Sequence, residues 1–308
     1  MPRVCYVLDQ KEIEAQMSES ILQVSLRAGI AHAHACGGNA RCSTCRVSIL
    51  EGLEHCAARS EKEARLAERL RFSPEVRLAC QTTISGDVKI RRLVIDDEDV
   101  ELTDQLGAVT TPSAIGEEKE VAVLFADIRG FTPFAEALPP YDVVHALNRY
   151  FYEMGQVITR NGGRIDNYMG DGLMALFGIE DPTGAALNAV RAGLETIEAV
   201  KNLKPYLETI YTKSFEIGVG IHYGEVVVGA IGASNMKRVT AIGDAVNLAS
   251  RIESANKHAG TSLLVSEETY TEVKEHVRVG KSIRATLPGK SGEYALYEVT
   301  GMNESGAQ

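Results

Sequence analysis

The sequence contains no tryptophan, and no apolar run approaches the ~18 residues that a membrane-spanning helix needs. The first ten residues also lack the basic and then apolar segment that is typical of a secretion signal. We therefore expect a cytoplasmic protein with no membrane partner. Basic residues are outnumbered, since 32 lysines and arginines stand against 42 acidic residues and give a formal net charge of −10. An acidic chain is not attracted electrostatically to the phosphate backbone of a nucleic acid, so nucleic acid is not an expected partner.

Cysteine is absent from most of the chain, because all six cysteines lie before residue 81. Structural disulfides are not expected, since reducing compartments disfavour them. A length of 308 residues suits two domains better than one, and the uneven distribution of cysteine predicts that the two domains differ in chemistry.

Composition marks the boundary between these domains. An acidic run at residues 96–101 is followed by small and polar residues at 107–116, which is typical of a linker. We predict a first domain over residues 1–100, a linker over 101–117 and a second domain over 118–302.

Strand-like and helix-like segments alternate in the second domain. The apolar run at residues 121–126 predicts a buried central strand. Helical spacing predicts helices over residues 142–158, 185–203 and 244–256. Two hairpins are predicted, one over 163–177 with a Gly-Asp-Gly turn and one over 215–231 that turns at Tyr223-Gly224-Glu225. Adjacent hairpins mixed with helices imply an α+β layer fold rather than a doubly wound sheet.

Four of the cysteines form a pattern. Cys36, Cys42 and Cys45 have the spacing C-x5-C-x2-C, and Cys80 follows far downstream. Four thiolates saturate the two irons of a [2Fe–2S] cluster. The two glycines after Cys36 suit a tight loop that brings backbone N–H groups toward cluster sulfur. The alternatives are four free thiols or a zinc site, although zinc sites usually show two C-x2-C pairs and one is present here.

Over about residues 1–95 these features resemble the [2Fe–2S] ferredoxin family, with the loop spacing of its adrenodoxin branch. The resemblance implies a β-grasp fold with an iron–sulfur cluster held by Cys36, Cys42, Cys45 and Cys80. A Rieske-type cluster would replace two cysteines with two histidines, and the nearby histidines are His32, His34 and His55. Four well-spaced cysteines favour the all-thiolate cluster. We interpret Cys5 and Cys56, outside the pattern, as ordinary core or surface residues.

Two aspartates of the second domain fall at positions where they can meet. Asp127 ends the apolar strand, and Asp171 lies in the predicted Gly-Asp-Gly turn. Two carboxylates at one sheet edge repel each other unless cations lie between them. Mg²⁺ takes one or two carboxylates together with substrate phosphates, and a pair of metal ions can activate an attacking oxygen. Taken alone, an aspartate in such a turn is usually only a turn residue.

The segments FADIRGFTPF, YMGDGLMALFG, GIHYGEVVVGAIG and TAIGDAVNLASRIE follow one another along the second domain. In this order they resemble the class III adenylyl/guanylyl cyclase catalytic domain over about residues 117–300. The resemblance implies a ferredoxin-like α+β palm, a fold unrelated to the iron–sulfur ferredoxins. It also implies two Mg²⁺ or Mn²⁺ ions held by Asp127, Asp171 and the backbone carbonyl of Ile128.

The same resemblance assigns roles to other residues. Contacts to the terminal phosphates fall on the backbone of Arg129, Gly130, Phe131 and Thr132. Asn247 would orient the ribose, and Arg251 would stabilise charge on the α-phosphoryl group in the transition state. The two are four residues apart on a predicted helix, so they share a face. In this family the aspartates come from one subunit and the asparagine and arginine from another, which implies a homodimer.

The sequence departs from the family where the purine base is selected. Asn167 occupies the position where adenylyl cyclases usually carry lysine, and Thr240 occupies the partner position, as in many bacterial adenylyl cyclases. Asparagine can donate or accept, so weaker discrimination against guanine is expected, with ATP favoured over GTP. Lys290 is the candidate for a phosphate-contacting lysine near the C-terminus, and Arg238 is a second candidate.

These interpretations predict an adenylate cyclase that makes 3′,5′-cyclic AMP and pyrophosphate and is redox-regulated by its cluster, with an unknown redox partner. The alternatives are a guanylate or mixed-specificity cyclase, or a ferredoxin electron-transfer or docking protein with an inactive cyclase fold. A purely structural role of the cluster also stays open.

Overall fold

The computed structural model describes residues 1–94, 116–231 and 238–303. Two compact units divide these residues: the first unit carries 1–94, and the second unit carries 117–231 and 238–303. The predicted linker lies outside the described residues except for its last two positions. The predicted domain boundaries stay a prediction. No helix of the described ranges combines the length and apolarity needed to cross a bilayer.

The first unit is built on a five-stranded sheet with the order β2-β1-β5-β3-β4. Its elements are β1 (Arg3–Tyr6), β2 (Lys11–Glu14), α1 (Ile21–Arg27), β3 (Arg46–Glu51), a 3₁₀ turn (Leu53–His55), α2 (Glu61–Arg69), β4 (Val76–Leu78) and β5 (Val88–Arg92). Strands β1 and β5 are parallel, and the other neighbours are antiparallel. A capping box between Ser20 and Gln23 fixes the start of α1, whose buried side chains pack on the sheet.

Pairing of β3 with β4 positions the cysteines of the first unit. The long loop between α1 and β3 contains three of them, and the fourth follows β4. Arg46 lies opposite Leu78 in the antiparallel pair, so Cys45, just before β3, lies close to Cys80, just after β4. The backbone N–H of Ala79 donates to the Cys45 carbonyl at 3.1 Å and closes this edge.

The second unit is built on a sheet with the order β12-β13-β11-β9-β6-β8-β7, and β10 pairs with β9. Its strands are β6 (Glu117–Arg129), β7 (Gly163–Met169), β8 (Gly172–Phe177), β9 (Glu216–Ile231), β10 (Arg238–Ile242), β11 (Leu263–Ser266), β12 (Val277–Ala285) and β13 (Tyr294–Met302). Its helices are α3 (Phe131–Glu136), α4 (Pro140–Arg160), α5 (Ala185–Tyr211), α6 (Asp244–Ala259) and α7 (Glu267–Val273). Both units are therefore mixed α+β, as predicted.

Strand β6 separates two hydrophobic layers of the second unit. Successive strand residues point to opposite faces. Leu124 and its alternate neighbours pack with α4 and α5, whereas Val121 and Val123 pack with Ala245 and Ala249 of α6. Asp127 has the parity of Val121 and Val123, so it lies on the face that α6 covers.

The predicted hairpin over residues 163–177 is confirmed, whereas the one over 215–231 is wrong. Strand β9 runs without interruption from Glu216 to Ile231 and pairs with β6 from Glu216 to Val228. Tyr223 and Gly224, read as a turn, lie opposite Ala122 and Val121. A Cβ at Gly224 would lie 2.8 Å from the His222 ring, so the glycine meets a packing need rather than a turn.

Two other differences concern helices and late strands. Helix α5 was expected to end near Leu203, but it continues through Pro205 to Tyr211 because Leu207 and Tyr211 are buried against the core. Strand β12 and helix α7 were not predicted.

Candidate functional site

Asp127 and Asp171 meet at one edge of the sheet in the second unit. Asp127 lies near the end of β6, and Asp171 lies in the turn between β7 and β8. Strand β8 pairs with β6 so that Leu173 faces Ala126, which brings the two carboxyl groups within hydrogen-bonding reach. Gly172 is required here because a Cβ at that position would lie 2.9 Å from Asp127 Oδ1.

The electrostatics of this pair favour a bound cation. Burial, and then the charge of Asp171, raise the pKa of Asp127 to about 6. Burial also raises the pKa of Asp171. The backbone N–H of Ile128 donates toward both carboxyl groups, and this contact lowers both pKa values in part. Two partly buried carboxylates in contact are a ligand set that a divalent cation would neutralise, so the residues fit the metal ions that the sequence predicts.

The predicted phosphate-contacting stretch lies directly beyond Asp127. Arg129 ends β6, Gly130 takes a left-handed φ of 65°, and Phe131 and Thr132 begin α3. The guanidinium of Arg129 donates to the carbonyl of Thr261, which ties the end of β6 to the turn after α6. Its side chain is therefore anchored within the fold. The phosphate contacts of this stretch stay a prediction.

Asn247 and Arg251 lie on the exposed face of α6. The opposite face of the helix is buried, and among the described residues neither side chain makes a hydrogen bond or ion pair with Asp127 or Asp171. Within one chain the structure does not join the two halves of the predicted site. Both side chains are free to contact a group outside their own chain.

A third carboxylate, Glu253, approaches the aspartate pair and was not identified from the sequence. Gly218 is the β9 partner of Asp127, and a Cβ at Gly218 would lie 2.6 Å from Glu253 Oε1. Burial, and then the charge of Asp127, raise the pKa of Glu253 to about 7. Gly218 and Gly220 were the sequence signal that could have identified Glu253. Their lack of side chains lets α6, which carries Glu253, lie directly on β9.

Side chains that could bind a metal ion come together only in pairs in the part of the chain that the structure describes. No three histidine, cysteine, aspartate or glutamate side chains there approach one point. Glu253 lies beside the aspartate pair, but the three carboxylates do not converge on one point. A pair of carboxylates suits a metal site that backbone carbonyls and substrate phosphates complete. Pairs of thiolates suit a cluster in which each of two irons takes two of them.

The predicted base-selecting residues are held by two polar neighbours. Asn167 on β7 accepts a hydrogen bond from Arg238 of β10 at 2.7 Å, and Thr240 donates to Asp166 at 2.5 Å. Arg238 is thus committed to this cluster. Lys290 forms an ion pair with Asp244 at the start of α6. Its role in phosphate binding stays a prediction.

In the first unit the four motif cysteines form two pairs. Cys36 lies beside Cys42, and Cys45 lies beside Cys80, so that each pair shares its protons. Hydrogen bonds from Cys42 and from backbone N–H groups lower the pKa of Cys36 to about 4. Hydrogen bonds from Cys45, Gln81 and a backbone N–H lower the pKa of Cys80 to about 7. The same contacts raise the pKa of Cys42 and Cys45, so each pair has one sulfur that favours the thiolate and one that favours the thiol. The arrangement of the four sulfurs in two pairs fits two iron atoms with two protein ligands each.

The loop carrying these cysteines has the backbone that the glycines predicted. Gly37 and Gly38 take φ values of 63° and 86°, and Ala40 also has a positive φ. This winding directs the N–H groups of Asn39 and Arg41 to the Cys36 sulfur.

Residues outside the cysteine pattern have other partners. Burial lowers the pKa of His32 to about 4, and its Nδ1 lies 2.9 Å from Ser25 Oγ. His34 Nδ1 contacts the His32 carbonyl, and His55 pairs with Glu54. Cys56 is half-buried with a pKa raised by burial.

Residues 114–301 match the family described as the adenylate and guanylate cyclase catalytic domain. The chain belongs to that family. Residues 6–85 match the 2Fe-2S iron-sulfur cluster binding domain. The predicted fold, an iron–sulfur ferredoxin domain followed by a palm-type cyclase domain, is confirmed. The match over residues 6–85 supports a [2Fe–2S] cluster in the chain, and the cyclase match implies use of divalent metal.

Individual relatives share the cyclase family. The chain is 34% identical over 202 residues to an adenylate cyclase of Anabaena cylindrica, which covers 63% of this chain and 38% of that protein. It thus spans well under half of that relative. Among solved structures, the guanylyl cyclase Cya2 is similar with a TM-score of 0.59 and 34% identity, covering 63% of this chain and 98% of Cya2. The adenylyl cyclase CyaB from P. aeruginosa is similar with a TM-score of 0.57 and 32% identity, covering 61% of this chain and 97% of CyaB.

Proposed function

We propose that this protein is an adenylate cyclase, converting ATP to 3′,5′-cyclic AMP and pyrophosphate at a site shared by two copies of the chain. The observation that carries this proposal is the meeting of Asp127 and Asp171, two partly buried carboxylates with raised pKa values, at the sheet edge. In the reaction the ribose 3′-hydroxyl gives up its proton to water and its oxygen bonds to the α-phosphorus. The bond between the α-phosphorus and the oxygen that bridges to the β-phosphate breaks, and pyrophosphate leaves.

The residues of the chain divide this work. Asp127, Asp171 and the carbonyl of Ile128 would hold divalent metal, which when bound supplies activation of the 3′-oxygen and charge neutralisation. Arg251 stabilises charge on the α-phosphoryl group with a fixed guanidinium, and Asn247 orients the ribose.

A second copy of the chain completes the site in this proposal. Exposure of Asn247 and Arg251 on α6, away from their own aspartates, supports a site formed across a two-fold interface. Each dimer then has two equivalent sites, each with aspartates from one protomer and the helix residues from its partner.

Substitution of one aspartate tests the cyclase directly. Asp171→Ala is compared with Glu180→Ala, which removes an exposed carboxylate of the same unit. Cyclic nucleotide formation is measured by chromatography with Mn²⁺ or Mg²⁺ and with ATP or GTP. We expect Asp171→Ala to lose roughly a hundredfold or more of kcat and the control to keep its turnover. Equal turnover in both variants would overturn the site assignment.

Absence of turnover in the wild-type protein would favour the alternative. The chain would then be a ferredoxin electron-transfer or docking protein with an inactive cyclase fold. Preservation of the aspartate pair with its contacts argues for the active enzyme.

The first unit is proposed to regulate the second through its redox state. Support comes from the two paired-thiol sites, which fit a [2Fe–2S] cluster, in the same chain as the cyclase fold. Turnover is measured anaerobically in dithionite-reduced, oxidised and cluster-free protein. Equal rates in all three states would reject regulation, and a change in melting temperature alone would indicate a structural cluster. The redox partner and the cytoplasmic location stay predictions.

A further inference from the structure

The side chain of Gln81 joins three segments of the first unit around Cys80. Its amide nitrogen Nε2 lies 3.2 Å from the carbonyl oxygen of Gly38, 3.3 Å from the carbonyl oxygen of Cys80 and 3.6 Å from Cys80 Sγ. Its amide oxygen Oε1 accepts a hydrogen bond of 3.0 Å from the hydroxyl of Ser60. The side chain therefore connects the cysteine loop, the segment that follows β4 and the start of α2.

The orientation of this amide is fixed from both ends. The carbonyl oxygens of Gly38 and Cys80 only accept, so the amide has to turn its NH₂ group toward them. At the other end, Ser60 Oγ accepts the backbone N–H of Glu63 at 3.3 Å as the N-cap of α2, and its own hydrogen is directed to Gln81 Oε1. Reversal of the amide would place its oxygen against two carbonyl oxygens. Gln81 is therefore a donor toward the Cys80 sulfur.

An N–H donor beside a ligand sulfur changes the balance between two redox states. A bound [2Fe–2S] cluster would take up one electron from an external donor as one ferric iron becomes ferrous, with no bond formed or broken. The ligand sulfurs carry more negative charge after this step, so an N–H dipole that points at one of them stabilises the reduced state more than the oxidised state. Hydrogen bonds to the sulfurs are accordingly among the factors that set the reduction potential.

We propose that Gln81 is a positioning residue that raises the reduction potential of the cluster through its hydrogen bond to Cys80, and that Ser60 holds the amide in the donating orientation. Gln81 and Cys80 are both half-buried, so solvent screens this contact only in part. The inference rests on the cluster of the first unit. It deepens the proposed redox regulation, because the reduction potential decides at which ambient potential the cluster changes its state.

The test measures the reduction potential of the full-length protein with its cluster. Anaerobic protein is titrated with dithionite in the presence of redox dyes, and the visible absorption of the cluster is followed. Gln81→Met keeps the length of the side chain but has no N–H donor. The equilibrium constant for reduction should fall roughly fivefold, the value of one ordinary hydrogen bond, which is a shift of about 40 mV to lower potential. Gln81→Glu should lower the constant further, because it replaces the donor with a negative charge.

Ser60 provides a second test that leaves residue 81 in place. Ser60→Gly removes the hydroxyl that holds Gln81 Oε1, and glycine is a tolerated N-cap for α2. The carbonyl groups of Gly38 and Cys80 still favour the same orientation, so the expected fall in the equilibrium constant is smaller, roughly twofold. Ser60→Thr keeps the hydroxyl and should keep the wild-type potential.

Controls separate an effect on the potential from an effect on folding. Gln16→Met removes an exposed amide of the same unit and should leave the potential unchanged. Iron content and the urea midpoint are measured on the same samples, because a purely structural amide would change these and leave the potential of the loaded protein as in the wild type. A Gln81→Met potential equal to or above that of the wild type would overturn the proposal. If Gln81→Met retains no cluster, an unchanged potential in Ser60→Gly would overturn it instead.

Failure of this inference differs from failure of the proposed regulation. Cyclic nucleotide formation is measured at controlled ambient potentials in the wild type and in Gln81→Met. If the cluster regulates the cyclase, the potential at which turnover changes should shift with the reduction potential of the cluster. A shifted reduction potential with turnover independent of the ambient potential would refute regulation and support the role of Gln81. Wild-type protein that binds no iron would refute both.

Discussion

Replacement of Gly220 by alanine would separate α6 from the strand on which it lies. A Cβ at Gly220 would lie 2.1 Å from Glu253 N, 2.5 Å from Glu253 Cα and 2.8 Å from the Ala249 carbonyl oxygen. These atoms are helix backbone and cannot rotate away. Since carbon atoms pack at about 3.5 Å or more, the helix has to move by roughly 1 Å.

Both stability and activity are expected to change. Overpacking of this kind costs about 1–3 kcal/mol of unfolding free energy. Helix α6 also carries Asn247 and Arg251, and a misplacement of about 1 Å costs on the order of a hundredfold in rate. Urea denaturation and cyclic nucleotide formation measure the two effects on the same samples.

The matched control is Gly155→Ala in helix α4. A Cβ there meets only Ile165 Cδ1, at an ordinary 3.7 Å. Alanine is better than glycine inside a helix by about 1 kcal/mol, so this variant should be stabilised and remain active. Unchanged stability and turnover in Gly220→Ala would refute the conclusion that α6 rests directly on β9.

Three further outcomes are expected. Arg77→Met leaves Glu63, whose side chain has no exposed surface, as an unpaired buried charge. The free energy of unfolding of the first unit, measured with urea, should therefore fall by about 3–5 kcal/mol. A loss under ~1 kcal/mol would contradict this prediction. Burial lowers the pKa of His222, so its stabilising contribution is present above its unfolded pKa of about 6.5 and is lost at lower pH. The urea midpoint should therefore drop more between pH 7.5 and 5.5 in the wild type than in His222→Gln, and equal drops would count against it. Cys45→Ser should abolish the visible absorption and iron content of the cluster while Cys56→Ser keeps them, and the reverse result would disprove the ligand assignment.

Local signals predicted the elements that position the aspartates. The apolar run before Asp127 and the Gly-Asp-Gly turn around Asp171 each define one structure within a few residues. The cysteine spacing identified four thiols, three of which lie in one loop, and the structure places them in two pairs. Their role as cluster ligands stays a prediction.

Tertiary partners explain what the sequence could not predict. Gly224 suggested a turn at Tyr223-Gly224-Glu225, since glycine is common in turns. Gly218, Gly220 and Gly224 instead lie in a continuous strand, because atoms of α6 and the ring of His222 occupy the space where their side chains would be. Nothing in the local sequence separates a glycine needed for a turn from one needed for close packing.

The same limit applies to the site. Asn167 and Arg238 are 71 residues apart, and only the pairing of strands brings them into contact. Glu253 follows Arg251 closely on α6, but its approach to Asp127 depends on the absent side chain of Gly218. Both contacts depend on the tertiary fold, so the local sequence does not predict them.

The composite active site is tested most directly by a heterodimer of two inactive variants. Asp171→Ala and Arg251→Ala chains carry different affinity tags, and the mixed dimer is isolated through both. If each site takes its aspartates from one protomer and Arg251 from its partner, one of the two sites is intact and the mixed dimer should show about half of the wild-type turnover. A dimer of Asp171→Ala with Asp127→Ala has no intact site and should be inactive. A heterodimer of Asp171→Ala and Arg251→Ala as inactive as its parents would contradict a site shared between two chains.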